Sequence, residues 1–484
     1  MLIMQRYIRI VGLLSFFISA SSVADEVQSF SHGDWQVVCD NTHTCRAVGY
    51  QNLDYQQQDD APSPVSVIFQ RAAGENAEIK GKVKFGSISY DNDNSQTQND
   101  TITLSINDDY QSLLGAELPA YKEMGMSFSG ERELTKEQVN QLLTALTMKG
   151  RVSIKFNSPA GEEWHLSTTG STAVLLKMDD YQGLVDTPFA IVKKGPRTTH
   201  IVQPKQAPVV SIPEQPIPVT TAADRALASN PDFILRMRKA LNLACDIVPA
   251  EDGSLDLDVA RITTSKLVVS TMCWYAAYNF GSAVWLVDDN TEIEPLLVTD
   301  SAVSYANGRI DEYMKGRGVG DCISARRYIW NGSEFVLADS YSTGACREIA
   351  PGGAWYLPTT VSTVIVGEDP AAGIDCQSEQ AYTTDGMVKC AQRELASIDL
   401  KISEVIDSIN ALERVAKNND LTAALHQAQA SWLTYRNDVC KAVRLSYLEG
   451  SMGLPVMIGC KLDLSEKRLR ELELTLESLI FRDF

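Results

Sequence analysis

An α+β chain is predicted: two strand-rich α+β modules followed by a C-terminal, disulfide-stapled antiparallel helical bundle. Three observations predict it. Short β-branched runs separated by turn residues fill the first two-thirds, a proline-rich spacer divides them, and long stretches of three-four apolar spacing fill the last 110 or so residues. The 484 residues are 44% hydrophobic and 22% charged, ordinary globular proportions for about three domains. Lys plus Arg is 43 against 62 Asp plus Glu, a net charge of −19, which argues against nucleic acid or anionic lipid and would suit a basic partner.

The first 24 residues read as a cleaved secretory signal. Arg6 and Arg9 form a basic start, Ile10 to Ile18 a short apolar core, and Ser22-Val23-Ala24 a small-residue site before Asp25. The core is too short for a permanent membrane anchor, and no cysteine follows it to carry a lipid. Export to an oxidising periplasm is therefore expected. All ten cysteines follow the signal in an even set with no CxxC pair and no zinc-knuckle spacing, which predicts five structural disulfides.

Residues 25–194 form the first module. Strands at Gln36–Val38 and Arg46–Val48 flank a short loop with Cys39 and Cys45 placed for a cross-strand bridge; Val65–Phe69, Ile79–Ser89 and Thr101–Ile106 continue the strand pattern. Thr135 with Gln138 makes a capping box for a helix to about Met148, and a second helix covers Ser171–Tyr181. Residues 195–223 carry six prolines between Pro196 and Pro218 without amphipathic period, an extended linker. Residues 224–366 form the second module. Asn230 caps a helix with Pro231 in its first turn, and strands follow at Lys266–Ser270, Val284–Val287, Cys322–Trp330 and Glu334–Ala338. Asn331-Gly332 predicts a type I′ turn between the last two.

Residues 374–484 are helical. Val388, Ala391, Leu395, Ile398, Ile402, Val405, Ile409 and Leu412 alternate at steps of three and four, as do Leu421, Leu425, Ala428, Trp432, Tyr435, Val439 and Ala442, then Leu469, Leu472, Leu476 and Leu479. Such seams bury one face of each helix against its neighbours. Of three pairings of the four cysteines here, Cys376–Cys390 and Cys440–Cys460 are preferred because each closes a local loop.

This last segment resembles the LprI-like lysozyme-inhibitor family of exported bacterial proteins. The resemblance rests on CQSEQAYTTDGMVKCAQRELASIDLKI (Cys376–Ile402), AQASWLTYRNDVC (Ala428–Cys440), GSMGLPVMIGC (Gly450–Cys460) and KLDLSEKRLRELE (Lys461–Glu473). It implies a protein partner of the lysozyme type, a basic c-type lysozyme being one candidate and the class left open. Residues 27–366 resemble a Gram-negative periplasmic family of unknown function, through GDWQVVCDNTHTCRAVGY (Gly33–Tyr50), LSTTGSTAVLLKMDDYQG (Leu166–Gly183), CWYAAYNFGSAVWLVDD (Cys273–Asp289) and GDCISARRYIWNGSEFVLADSYSTGACRE (Gly320–Glu348). That resemblance implies the compartment and the bridge pattern, with Cys245–Cys273 and Cys322–Cys346 in the second module, and no activity.

No catalytic or cofactor set emerges. Asp91-Asn92-Asp93-Asn94-Ser95 lacks the Gly and the acidic residue that a calcium loop needs at its sixth and twelfth positions. Gly316 to Gly320 has no helix behind it to receive a phosphate. His165 and Ser167 have no nucleophile elbow, and Asp179-Asp180 should point apart near a helix end. The partner-binding candidates are Arg436 and Asp438, between Trp432 and Cys440, and Glu449 and Ser451 in the glycine-rich connection to Leu454. For Arg436, capping or pairing with a neighbouring helix is the favoured reading over a partner contact. A short rigid loop loses little entropy on entering a cleft, and a lysozyme cleft depends on carboxylates that such a loop would cover. The leading function is lysozyme inhibition by the bundle; the alternative is an envelope scaffold acting through the first two modules. Enzyme activity, cofactors and metals are not expected.

Overall fold

The computed structural model describes residues 28–52, 64–88, 102–107, 109–112, 121–123, 126–150, 152–158, 161, 163–245, 255–447 and 450–480. The signal segment, the Asp91–Ser95 run and Glu449 lie outside them.

The first module contains β1 (Gln28–His32), β2 (Trp35–Cys39), β3 (Cys45–Tyr50), β4 (Val65–Arg71), β5 (Lys80–Ile88), β6 (Thr103–Ile106), β7 (Asp109–Ser112), β8 (Tyr121–Glu123), β9 (Met126–Leu134), α1 (Lys136–Thr147), β10 (Ile154–Asn157), β11 (Glu163–Leu166) and α2 (Ser171–Tyr181). One antiparallel sheet runs β1-β2-β3-β4-β5-β9-β8 and a smaller one β11-β10-β6-β7. Val65, Val67 and Phe69 of β4 face a core shared with Leu142 and Leu146 of α1, Val174 and Met178 of α2, and Trp164. Thr135 and Gln138 cap α1 reciprocally. At Gly170, φ 93 and a hypothetical Cβ only 1.8 Å from the His32 carbonyl explain why glycine opens α2.

An ion pair sits inside this module. Arg71 Nη2 donates to Asp179 Oδ1 at 2.8 Å, with both side chains almost fully buried, while Arg71 Nε donates to Gln182 Oε1. Asp179 Oδ2 accepts the backbone N–H groups of Ile191 and Val192. Asp180 points outward to Lys177, so the two adjacent acids share nothing.

The linker contains β12 (Val209–Ile212), and the second module contains α3 (Ala222–Ala226), α4 (Pro231–Ala244), β13 (Asp258–Arg261), β14 (Lys266–Tyr275), β15 (Phe280–Asp288), β16 (Leu296–Ala306), β17 (Arg309–Lys315), β18 (Ile323–Trp330), β19 (Phe335–Ser342), β20 (Leu357–Thr360) and β21 (Thr363–Val366). Strands β13 to β20 pair consecutively in one antiparallel meander, and α4 packs Met237 and Leu241 against Leu267, Val269 and Trp285. The proline-rich segment is extended but not isolated: β12 pairs in parallel with β21.

The expected type I′ turn at Asn331-Gly332 is corrected. Trp330 pairs with Phe335, leaving a four-residue loop in which Asn331 Oδ1 accepts from Ser333 N and Glu334 N, so the side chain closes the turn. Both positive φ angles of a type I′ pair occur instead at Asn307 (48°) and Gly308 (77°), where Ala306 pairs with Arg309.

The segment after β19 folds back on the first module. Trp355, Leu357 and Ile349 cover Val38, Val48, Tyr50 and Ile68, the second face of the β2-β3-β4 sheet. Polar groups lock this seam. Arg347 Nη2 lies 3.1 Å from Asp34 Oδ1, Ser167 Oγ donates to Asp34 Oδ2, Gln51 Nε2 donates to the Arg347 carbonyl, and Trp355 Nε1 donates to Ser66 Oγ. The two sequence-defined modules therefore share an interior.

Asp224 supplies a pH-dependent element. Hydrogen bonds from Arg261, then from Thr221 in the α3 capping box, hold its carboxyl down at about 2. A depressed carboxylate adds stability above its unfolded pKa that disappears as pH falls through the folded value. Stability contributed by Asp224 is thus expected to be lost between about pH 4 and pH 2. Asp224→Asn should flatten that part of the acid-unfolding curve; an unchanged slope there would contradict this.

Candidate docking surface on the helical bundle

The C-terminal region comprises α5 (Thr384–Ala411), the short α6 (Glu413–Ala416), α7 (Asn419–Leu445) and α8 (Gly453–Ile480). Thr383 caps α5 and Asn418 caps α7 through their side chains. Ile402, Ile409, Val415 and Leu472 are the buried centre, joined by Ile398, Val405, Leu421, Leu425, Trp432, Leu469 and Leu476. Cys376–Cys390 bridges the entry to α5, and Cys440–Cys460 bridges α7 to α8. Elsewhere Cys39–Cys45, Cys245–Cys273 and Cys322–Cys346 are joined.

The seam of α7 departs from the one its sequence suggests. Strict alternation of three and four would put Ala428, Tyr435 and Ala442 inside, but all three are exposed. One inward row runs through Leu421, Leu425, Gln429, Trp432, Arg436, Cys440 and Val443, six steps across 22 residues, with half-buried Thr422 and Val439 beside it. That is about 3.67 residues per turn, close to a straight α-helix, whereas a 3.5 repeat persists only where helices supercoil. The stripe therefore rotates by one residue along α7.

That rotation places Arg436 inside, only 6% exposed. Its Nη1 donates to Asp399 Oδ1 on α5 at 2.5 Å and to Ser465 Oγ on α8 at 2.6 Å, and its guanidinium lies over the Trp432 ring at 5.0 Å. Arg468 approaches the same ring at 5.8 Å. Arg436 thus joins three helices, the cross-helix pairing that its place in the sequence favoured over a partner contact. Asp438 and Ser451 are exposed.

The same rotation leaves apolar side chains outside. Tyr435 is 55% and Leu445 66% exposed, and Tyr447, Met452 and Leu454, on either side of the α7–α8 connection, are exposed as well. Tyr435, Asp438, Ala442 and Leu445 share one helical face by spacing. The connection is tight: Gly450 N donates to the Tyr447 carbonyl, Gly453 N to the Gly450 carbonyl, and Cys440–Cys460 spans its base. A gathered apolar patch with a polar rim on a pinned turn is the form an interaction surface takes. The sequence signal for Tyr435 and Leu445 was the exact residue count of a straight helix.

The other candidates do not assemble into chemistry. His165 Nε2 lies 3.0 Å from Glu163, while the Ser167 hydroxyl is committed to Asp34. Arg317 in the glycine-rich turn pairs with Asp321 and Glu348. Asp321, Cys322 and Cys346 cluster as metal ligands would, but the two sulfurs are joined in a disulfide. Among the described residues, no helix is long and apolar enough to cross a membrane.

These features define a mixed α+β, disulfide-bridged chain with a helical bundle in its C-terminal region. Residues 29–362 match the family described as "Protein of unknown function (DUF1176)", and the chain belongs to that family. Residues 376–472 match the family described as "Lysozyme inhibitor LprI", so the helical region is an LprI-like domain. Neither the curated proteins nor the solved structures gave a match.

Proposed function

We propose that the protein is exported to the periplasm and binds a lysozyme-type muramidase through the α7–α8 end of its bundle, inhibiting it by occlusion without catalysis. The observation that carries this reading is the exposed Tyr435–Leu445–Met452 patch beside the pinned turn, inside the segment that matches the lysozyme-inhibitor family. Asp438 and Ser451 lie at that end as polar contacts, and Glu449 joins them in sequence. Charge supports approach more than contact. The segment Ile374–Phe484 holds 13 Lys and Arg against 17 Asp and Glu, a net −4, whereas the whole chain carries −19. Steering of a basic c-type lysozyme would therefore come from the whole molecule. A scaffold role for the first two modules is the second reading, favoured by the larger match lying outside the bundle.

The full oxidised chain should suppress peptidoglycan lysis by a c-type lysozyme in a saturable manner. Tyr435→Asp and Ser451→Trp should each raise the half-inhibitory concentration at least about tenfold, a loss of roughly 1.4 kcal/mol, without altering the thermal melt. Full inhibition by both variants would remove this face from the interface. Unchanged lysis with the native chain would remove the lysozyme reading and leave the scaffold.

A further inference from the structure

A second recognition site is built on the meander sheet, away from the bundle's docking end. Across β17, β18 and β19, Tyr313 pairs with Ala325 and Ala325 with Tyr341, which puts a small residue between two aromatic ones on a single face. Two strand spacings separate the tyrosine backbones by roughly 10 Å, so the alanine forms the floor of a trough. Two residues along the same face, Asp311, Arg327 and Asp339 form a second, polar row. These six residues, with Arg309, Glu312 and Arg326, line a cavity of about 260 Å³.

Further side chains finish the trough. Tyr356 packs on Tyr341 with its ring tilted by 51° at 4.8 Å between centroids, and donates its hydroxyl to Asp339 Oδ1 at 2.7 Å. Arg327 Nε donates to Asp311 Oδ1 at 3.0 Å, and Glu404 from α5 lies 3.4 Å from Arg327 Nη1. Tyr313 (38%) and Tyr356 (50%) keep part of each ring at the surface, where a ligand can reach it.

The geometry points to a neutral saccharide ring as the ligand. An anionic ligand would face Asp311, Asp339 and Glu404, and a cationic one would face Arg327 and the nearby Arg309. A neutral polyhydroxylated ring meets donors and acceptors of both signs without repulsion, and its C–H face suits the tyrosines. The volume is below that of a drug-sized pocket and fits about one sugar residue, so a longer glycan would project along the open sheet.

The test is calorimetric titration of the full oxidised chain with chitotriose, and with cellotriose as a second neutral probe. Saturable binding of either is expected. It should weaken at least tenfold in Tyr341→Ala and in Ala325→Leu, which fills the floor while keeping every polar group, and persist in Tyr341→Phe. Ser451→Trp should bind sugar as the native chain does, which separates this site from the lysozyme surface. Trigalacturonate and the cationic glucosamine trimer should bind at least tenfold more weakly. No saturation with either neutral probe, tighter binding of a charged one, or native affinity in a well-folded Ala325→Leu protein would overturn the proposal.

Discussion

Asp179→Ala is expected to lower the stability of the DUF1176 region by about 3–5 kcal/mol, the cost of leaving one member of a buried ion pair without its partner. Three things are lost together. The Arg71 guanidinium keeps only Gln182 as a side-chain acceptor, and the N–H groups of Ile191 and Val192 lose theirs. Burial already pulls the Arg71 pKa down, with Asp179 opposing it, so removing the acid removes the group that holds the charge in place. The urea midpoint should fall with an unchanged m-value. The double variant Arg71→Met, Asp179→Leu should regain much of the loss, because apolar groups of similar size can replace a buried pair. A loss under about 1 kcal/mol for the single variant would show that water reaches this pair.

Arg347→Ala carries the second large effect, about 3 kcal/mol, and its distribution matters more than its size. Arg347 lies in the return segment after β19, yet its partners Asp34 and Gln51 belong to the first module. Above this pair, Trp355 and Leu357 cover the sheet face carrying Val48 and Ile68. Both modules should therefore lose stability together, in one calorimetric transition that shifts downward as a unit. Hydrogen exchange should accelerate equally in β4 and in β18. Faster exchange in β18 alone would mean that the seam is an adhesion between independently stable domains.

Helix caps and chain order were legible because they depend on near neighbours. Thr135 with Gln138 and Asn230 before Pro231 are local signals, and those two helices stand where their caps put them, while α2 covers its expected Ser171–Tyr181 span with no side-chain cap. The packing of the two modules was not legible as a contact, although β4 carried its trace. Val65 to Phe69 are all buried without alternation, the mark of a strand covered on both faces, and the cover comes from residues nearly 300 positions later. Turn chemistry was read at the wrong Asn-Gly. At 331 the asparagine side chain takes over the hydrogen bonding, whereas at 307 the backbone adopts the left-handed pair. In the bundle the apolar residues were recognised but their phase on α7 was not. Leucine and alanine serve on either face of a helix, and only rotation accumulated over about four turns from Leu421 separates Tyr435 outside from Arg436 inside.

The most direct measurement is hydrogen exchange by mass spectrometry on the full oxidised chain, free and saturated with a c-type lysozyme. Protection concentrated in peptides spanning Tyr435 to Val456, with the sheets unaffected, is the predicted outcome. Protection confined to residues 28–366, or none at saturating lysozyme, would contradict the assignment of the bundle as the inhibitory surface.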